Sequence, residues 1–183
     1  MFEDPVLAAL HRRHGPAPFP PNPVPKRPLL QVLAESIVAQ QLSAKAAATL
    51  TERLWRRVPP EAGALANPPL EAFRQVGLSQ AKALALKDLA EKAPQGLLEG
   101  LHSLPYEEVK ARLQEVRGVG PWTAEMFLMF GLGRPDVWSV GDLGVQKAAR
   151  ALFGVAREDL PRFDEAFRPY RSHLAWYLWR SLE

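Results

Sequence analysis

The 183-residue chain contains no cysteine. That excludes disulfides, a thiolate zinc site and a cysteine-held iron–sulfur cluster. No apolar window in the sequence reaches the roughly 20 residues a membrane helix needs. The opening "MFEDPVLAAL" has neither the basic region nor the long apolar run of a secretory signal. Stretches that alternate apolar and polar residues are missing, which argues against a β fold. A GxxxxGK(S/T) phosphate loop and a GxSxG nucleophile elbow are also absent. His11, His14, His102 and His173 show no metal-ligand spacing apart from the His11–His14 pair, on an N-terminal segment expected to be mobile. A soluble, cytoplasmic protein of a reducing compartment is the expectation. The two signs of charge nearly balance: the net charge of +3 suits a polyanionic partner but does not require one.

What is present is helix. The apolar fraction of 47% is enough for a folded core. Eighteen prolines beside the missing cysteine are compatible with a heat-loving source. Residues 16–28, "PAPFPPNPVPKRP", are too rich in proline for a helix or central strand and are read as an extended surface arm. Residues 1–28 are thus an N-terminal segment, and 29–183 a helical core. In "LLQVLAESIVAQQL" the spacing puts Leu30, Leu33, Ile37 and Gln41 on one face. Ser43 and Ser79 are predicted N-caps, and Gly77, Gly118 and Gly154 predicted helix ends. About eight to ten short helices are expected, giving an all-α fold.

The stretch "LQEVRGVGPWTAEMFLMF", Leu113 to Phe130, joins two helices through Gly-Val-Gly-Pro. Such a turn exposes backbone amides at the second helix's N-terminus with little bulk in the way, which suits an anion or a nucleic-acid backbone. The residues alone equally allow an αα-hairpin whose glycines only end one helix and start another. Asp142, opening "LGVQKAARALF", reads by itself as an N-cap. Asp136 lies in the loop "GRPDVWSVG" and is expected to shape a turn.

Taken together, "LQEVRGVGPWTAEMFLMFGLGRPDVWSVGDLGVQKAA" resembles the helix-hairpin-helix plus Gly/Pro…Asp signature of the DNA glycosylase superfamily. Three further segments, "SIVAQQLSAKAA", "VGLSQAKALALKDLA" and "RPYRSHLAWYLWR", resemble its 3-methyladenine DNA glycosylase II branch in the same order. The resemblance covers most of residues 29–180. It implies a two-lobed helical fold with the active site in the cleft between lobes and the hairpin at about residues 108–131.

The same resemblance implies roles. Asp142 matches the catalytic carboxylate, which would stabilise positive charge on the sugar as the base departs; the N-terminus of a helix favours a negative charge there. Gly118, Val119, Gly120 and Thr123 would hold the DNA backbone. Carbonyls of Gln114, Val116 and Val119 would hold a structural Na⁺ or K⁺; no cofactor is needed for the chemistry. Trp122 and Trp179 match aromatic walls of the base pocket, where an indole attracts a cationic alkylated ring. Met126 stands where the best-known pocket has a tyrosine, which leaves the range of lesions open. Gln41, with Leu42 beside it, matches the wedge that fills the gap left by a flipped base. Arg171, followed by Ser172, would support the site from behind. Trp176 and Tyr177 read as packing.

In branches that also cut the strand, a lysine occupies the position of Trp122, so this chain is expected to be monofunctional. Lys147, five residues past Asp142, is expected to face solvent rather than act as nucleophile. The resemblance therefore implies hydrolytic excision of alkylated bases such as 3-methyladenine from double-stranded DNA, leaving an abasic site. A monomer without an obligate protein partner or membrane association is expected, nucleoid-associated in a prokaryote. Three alternatives stay open: a glycosylase for hypoxanthine or oxidised bases, a non-catalytic helix-hairpin-helix DNA-binding module, and a purely structural helical protein.

Overall fold

The computed structural model describes residues 4–20 and 27–183. Among them the regular structure is entirely helical, as expected. Eleven α-helices follow one another: α1 (Pro5–His14), α2 (Leu29–Ala39), α3 (Ala44–Arg57), α4 (Ala62–Ala66), α5 (Leu70–Val76), α6 (Gln80–Lys92), α7 (Tyr106–Leu113), α8 (Pro121–Phe130), α9 (Leu143–Phe153), α10 (Leu160–Phe163) and α11 (Arg171–Arg180). No helix among the described residues is long and apolar enough to cross a membrane.

The helices form two compact units. The first holds residues 27–132, hence α2 to α8. At its centre is α8, where every residue from Thr123 to Met129 is buried. It packs on α2 and α7, and α2 packs in turn on α3 and α6. Leu33, Ala34, Ile37 and Val38 of α2, Leu86 and Leu89 of α6, and Phe127 and Leu128 of α8 are fully buried. Each large apolar side chain so buried stabilises the unit by roughly 1.5–3 kcal/mol. Ser43 and Ser79 cap α3 and α6, their hydroxyls accepting from the amides of Ala46 and Lys82.

The second unit holds residues 4–20 and Gly133–Glu183, with α11 packed on α1 and α9. Leu174, Ala175 and Leu178 of α11 and Val145, Ala148 and Ala149 of α9 supply its core. Phe153, Phe163, Phe167 and Trp138 pack as a second aromatic cluster, with neighbouring ring centroids 5.1–6.4 Å apart.

Five local features differ from the sequence expectations. The N-terminal segment around His11 and His14, expected to be mobile, is helical. Asp4 accepts from the amides of Val6 and Leu7 at 2.8 and 3.1 Å, and Pro5 occupies the first helical position, where a missing N–H costs nothing. Leu7 and Leu10 are buried, and the Tyr177 hydroxyl donates to the Gly15 carbonyl at 2.9 Å and lies 2.8 Å from His11 Nδ1. Of the proline arm, residues 21–26 lie outside the described residues; before them Ala17 and Phe19 are buried, so this part packs inward as well as running irregularly. Helix α2 stops at Ala39, which removes Gln41 from the face of Leu33 and Ile37. The short α4 was not foreseen, and α7 ends at Leu113, well before Gly118.

Candidate functional site

The hairpin belongs to the first unit. After α7 the chain makes tight turns through Gln114–Arg117, and Val119 N–H donates back to the Val116 carbonyl at 3.0 Å. Gly118 has φ +75°, the left-handed region that costs an L side chain roughly 1–2 kcal/mol. A Cβ there would only touch Ala85 at 3.7 Å, so backbone handedness, not space, selects glycine. Gly120 is different. Its φ is −96°, and a Cβ would meet nothing within 4 Å. Neither backbone handedness nor space inside the protein requires glycine at 120. No side chain caps α8, so its first turn presents amide dipoles outward.

Three side chains that the sequence reading missed brace this turn. Asp88 of α6 accepts from Arg117 N–H at 2.7 Å and from the Lys92 ammonium at 2.8 Å. Lys92 also donates to the Glu115 carbonyl at 2.6 Å. Burial raises the Asp88 pKa, but the bonds and charges of Lys92 and Arg117 outweigh it and hold the carboxyl below the usual carboxylate range. From the other side, Gln40 Nε2 donates to the Gly118 carbonyl and to Thr123 Oγ1, both at 2.9 Å. The Thr123 hydroxyl, buried, is thus engaged by Gln40.

The turn between α2 and α3 is consequently tied to the hairpin. Lys82 Nζ donates to the carbonyls of Val38 and Gln40, both at 2.8 Å, satisfying the end of α2; burial pushes its pKa down. Next to Gln40, Gln41 adopts φ +57°, a conformation uncommon for a residue with a side chain, and it is exposed. Leu42 is an exposed large hydrophobic. Trp122 and Met126 lie one turn apart on α8, hence on one face; Trp122 is half-buried and Met126 buried.

In the second unit, Asp142 is the N-cap of α9. Its Oδ1 accepts from Val145 N–H at 2.8 Å and from the Trp179 indole N–H at 3.0 Å. The residue is 9% exposed, and both bonds fall on the one carboxylate oxygen Oδ1. Trp179, read from the sequence as a pocket wall, is half-buried and orients the carboxylate. Gly144 makes room for the pair: a Cβ there would lie 3.0 Å from Trp179 Cδ1 and 3.1 Å from Asp142 Oδ1. Capping and a functional role are not alternatives at Asp142, because the cap holds the carboxylate still.

Arg171 secures the loop that leads to Asp142. Its guanidinium donates to both Asp136 oxygens at 2.7 and 3.0 Å, and to Asp164 at 2.8 Å. Arg168 adds a bond to Asp136 at 3.0 Å. Burial alone would raise the Asp136 pKa, but the Arg171 bonds and the two guanidinium charges hold it below the usual range. Ser172 Oγ donates to the Arg134 carbonyl at 2.6 Å and accepts from Val137 N–H at 3.0 Å. Asp136 therefore does shape its loop, by clamping it to α11. The "RS" pair was legible in the sequence; its acceptors Asp136 and Asp164 were not, lying 35 and 7 residues away.

Among the described residues no group of three or more His, Cys, Asp or Glu side chains could hold a metal ion. The hairpin's neutral carbonyls are a different kind of donor. The Val116 carbonyl accepts one amide hydrogen and keeps a second lone pair, which fits an oxygen-seeking monovalent cation.

Comparison with known proteins bears on what this geometry is for. The family model described as HhH-GPD superfamily base excision DNA repair protein matches residues 34–168. A putative DNA-3-methyladenine glycosylase, YfjP of Bacillus subtilis, is 30% identical, over 100% of this chain and 67% of its own. DNA-3-methyladenine glycosylase 1 of Schizosaccharomyces pombe is 30% identical, over 88% of this chain and 76% of its own. Among solved structures, the S. pombe 3-methyladenine DNA glycosylase Mag1, in complex with abasic DNA, superimposes with a TM-score of 0.87. It is 29% identical, over 98% of this chain and 92% of its own.

Proposed function

The chain belongs to the HhH-GPD superfamily of base excision DNA repair proteins, and from that premise we propose that it is a monofunctional DNA glycosylase for alkylated bases, chiefly 3-methyladenine. The observation that carries the reading is Asp142, a carboxylate held at the start of α9 by Val145 N–H and the Trp179 indole. The relatives named 3-methyladenine glycosylases support the substrate class. Double-stranded DNA is the proposed partner, a reading supported by the complex of Mag1 with abasic DNA, and the protein acts as a monomer.

The chemistry follows from charge. Alkylation at a purine ring nitrogen leaves the base cationic. When the C1′–N bond breaks, the electron pair goes to the base, which departs neutral, and the sugar becomes oxocarbenium-like. A preorganised carboxylate stabilises that state. Water then adds to C1′ and loses a proton, leaving an abasic site. Asp142 serves as the electrostatic stabiliser and orients or deprotonates the water. The indole of Trp122 attracts the cationic ring, with Met126 a turn further along as a thioether contact.

The amides of Gly118, Gly120 and Thr123 grip the backbone, Val119 shaping the turn rather than gripping because its N–H is donated to the Val116 carbonyl, and Gln41 with Leu42 fills the vacated stack. A Na⁺ or K⁺ on the carbonyls of Gln114, Val116 and Val119 would draw a phosphate to the turn. Arg171 acts at a distance by fixing the Asp136 loop. Because an indole replaces the nucleophilic lysine, no Schiff base forms and the strand stays intact.

The test is release of labelled methylated bases from alkylated duplex DNA, with strand breaks scored before and after alkali. Free 3-methyladenine, with breaks only after alkali, is expected. Breaks without alkali would contradict the monofunctional assignment, and release confined to hypoxanthine or oxidised bases would contradict the lesion class.

A further inference from the structure

Along α9, immediately beyond the Asp142 cap, runs a groove of about 470 Å³. It begins at Leu143, which is 78% exposed, an unusual position for leucine in a protein with a full core. Its floor is apolar: Leu143, Ala151, Val155 and Leu160. Lys147, Arg150 and Arg157 stand on its rim. Leu143, Lys147 and Arg150 occupy successive turns of one helix face, and the span from Leu143 to Arg150 is about 10 Å.

What sets these three cations apart is that they share one groove; the exposed Arg12, Arg13 and Arg162 of the unit also make no ion pair among the described residues but lie outside it. In the same unit, Arg168, Arg171 and Arg180 each pair with a carboxylate. Lys147, Arg150 and Arg157 make no ion pair and no side-chain hydrogen bond among the described residues, although Glu158 and Asp159 follow Arg157 directly. Unpaired cations lining an apolar trough do nothing for the fold.

We propose that this groove is a second DNA contact, holding the strand that flanks the target nucleotide. The inference rests on the glycosylase reading, since it needs Asp142 to face a sugar. The occupant follows from chemistry and continuity. A nucleic-acid strand presents anionic phosphates and the apolar faces of deoxyribose, which match the basic rim and the apolar floor. The groove starts one residue from the carboxylate that must reach C1′, so flanking nucleotides lie within its reach. The hairpin grips through neutral amides and releases few counterions. Lys147, Arg150 and Arg157 give this protein its salt-sensitive affinity, each neutralised phosphate adding about 0.9 to the slope of log K against log salt.

The experiment is a salt titration of binding to a duplex carrying a tetrahydrofuran abasic analogue, followed by fluorescence anisotropy. Wild type is compared with Lys147→Ala, Arg150→Ala, Arg157→Ala and the control Arg53→Ala, an exposed cation on α3 outside the groove. Each groove variant should lower the slope by about one and weaken binding several-fold at physiological salt, while Arg53→Ala leaves the slope unchanged and Arg150→Lys retains it. The side chains are exposed and unbonded, so thermal unfolding should coincide with wild type. Slopes equal to wild type in all three groove variants, with abasic DNA still preferred, overturn the groove and leave the glycosylase reading intact. Equal loss in Arg53→Ala also overturns it, as an effect of net charge alone. A wild type that does not bind the abasic duplex overturns both. An acidic protein segment as the true occupant would appear as the first of these outcomes.

Discussion

Asp142, Trp179 and Gly144 form the smallest unit of the account. One carboxylate oxygen takes two hydrogen bonds, from Val145 and Trp179, and the indole lies 3.0–3.3 Å from where a Gly144 Cβ would sit. Hydrogen bonds to charged groups contribute roughly 1.5–3 kcal/mol, and each 1.4 kcal/mol lost from the transition state is tenfold in rate. Trp179→Phe keeps the ring and removes the donor, so single-turnover base release should slow at least about tenfold while affinity for abasic DNA changes little. Gly144→Ala should produce a comparable loss by displacing the indole. A Trp179→Phe enzyme with the wild-type rate would show that the indole donor does not set the carboxylate. His173, buried against Phe19 and Tyr170, has its pKa pushed down by burial, partly offset by backbone polar groups of Pro20, Pro135 and Phe19. A histidine depressed in the fold stabilises above its unfolded pKa of about 6.5, and that stability falls as pH drops below it. His173→Leu should flatten the decline in melting temperature between about pH 7 and 5; an unchanged decline would assign it elsewhere.

At the scale of elements, the hairpin and the α2–α3 turn behave as one piece because Gln40 bonds to both Gly118 and Thr123. Gln40→Ala should leave the fold melting within a few degrees of wild type but slow excision from paired duplex more than from mismatched sites, where less work is needed to expel the base. Equal slowing on both would place Gln40 in general scaffolding. The loop before α9 hangs on Asp136, Arg171 and Asp164. Asp136 is depressed in the folded state, so its contribution is complete above the ordinary carboxylate pKa of about 3.9 and disappears as pH falls through the lower folded value. Asp136→Asn should therefore lower the melting temperature near neutrality and converge with wild type in acid.

Sequence periodicity made most of these elements legible: Ser43, Ser79, Pro121 and Gly154 mark ends that the structure also has. It failed where termini depend on partners. The N-terminal segment, expected to be mobile, is a helix that Asp4 caps and Pro5 opens, and Gln41 fitted a helical face that ends two residues earlier.

The whole molecule is a helical chain with the proposed grip and the proposed catalytic carboxylate on different units, the hairpin within residues 27–132 and Asp142 within Gly133–Glu183. Motif residues such as Asp142, Trp179 and Gly118 could be picked from the sequence because the local pattern carries them. The braces Gln40, Asp88, Lys92 and Asp164 could not, since each acts through a backbone or side-chain partner whose position only the fold supplies. The account's central claim is that a fixed carboxylate, not a lysine, drives base release. Its most direct test is Asp142→Asn, nearly the same size and still able to accept from Val145, measured under single-turnover conditions on duplex DNA with 3-methyladenine alongside binding to abasic DNA. The account predicts base release reduced by about a hundredfold or more with abasic-DNA affinity within a few-fold of wild type. Release at the wild-type rate would contradict it.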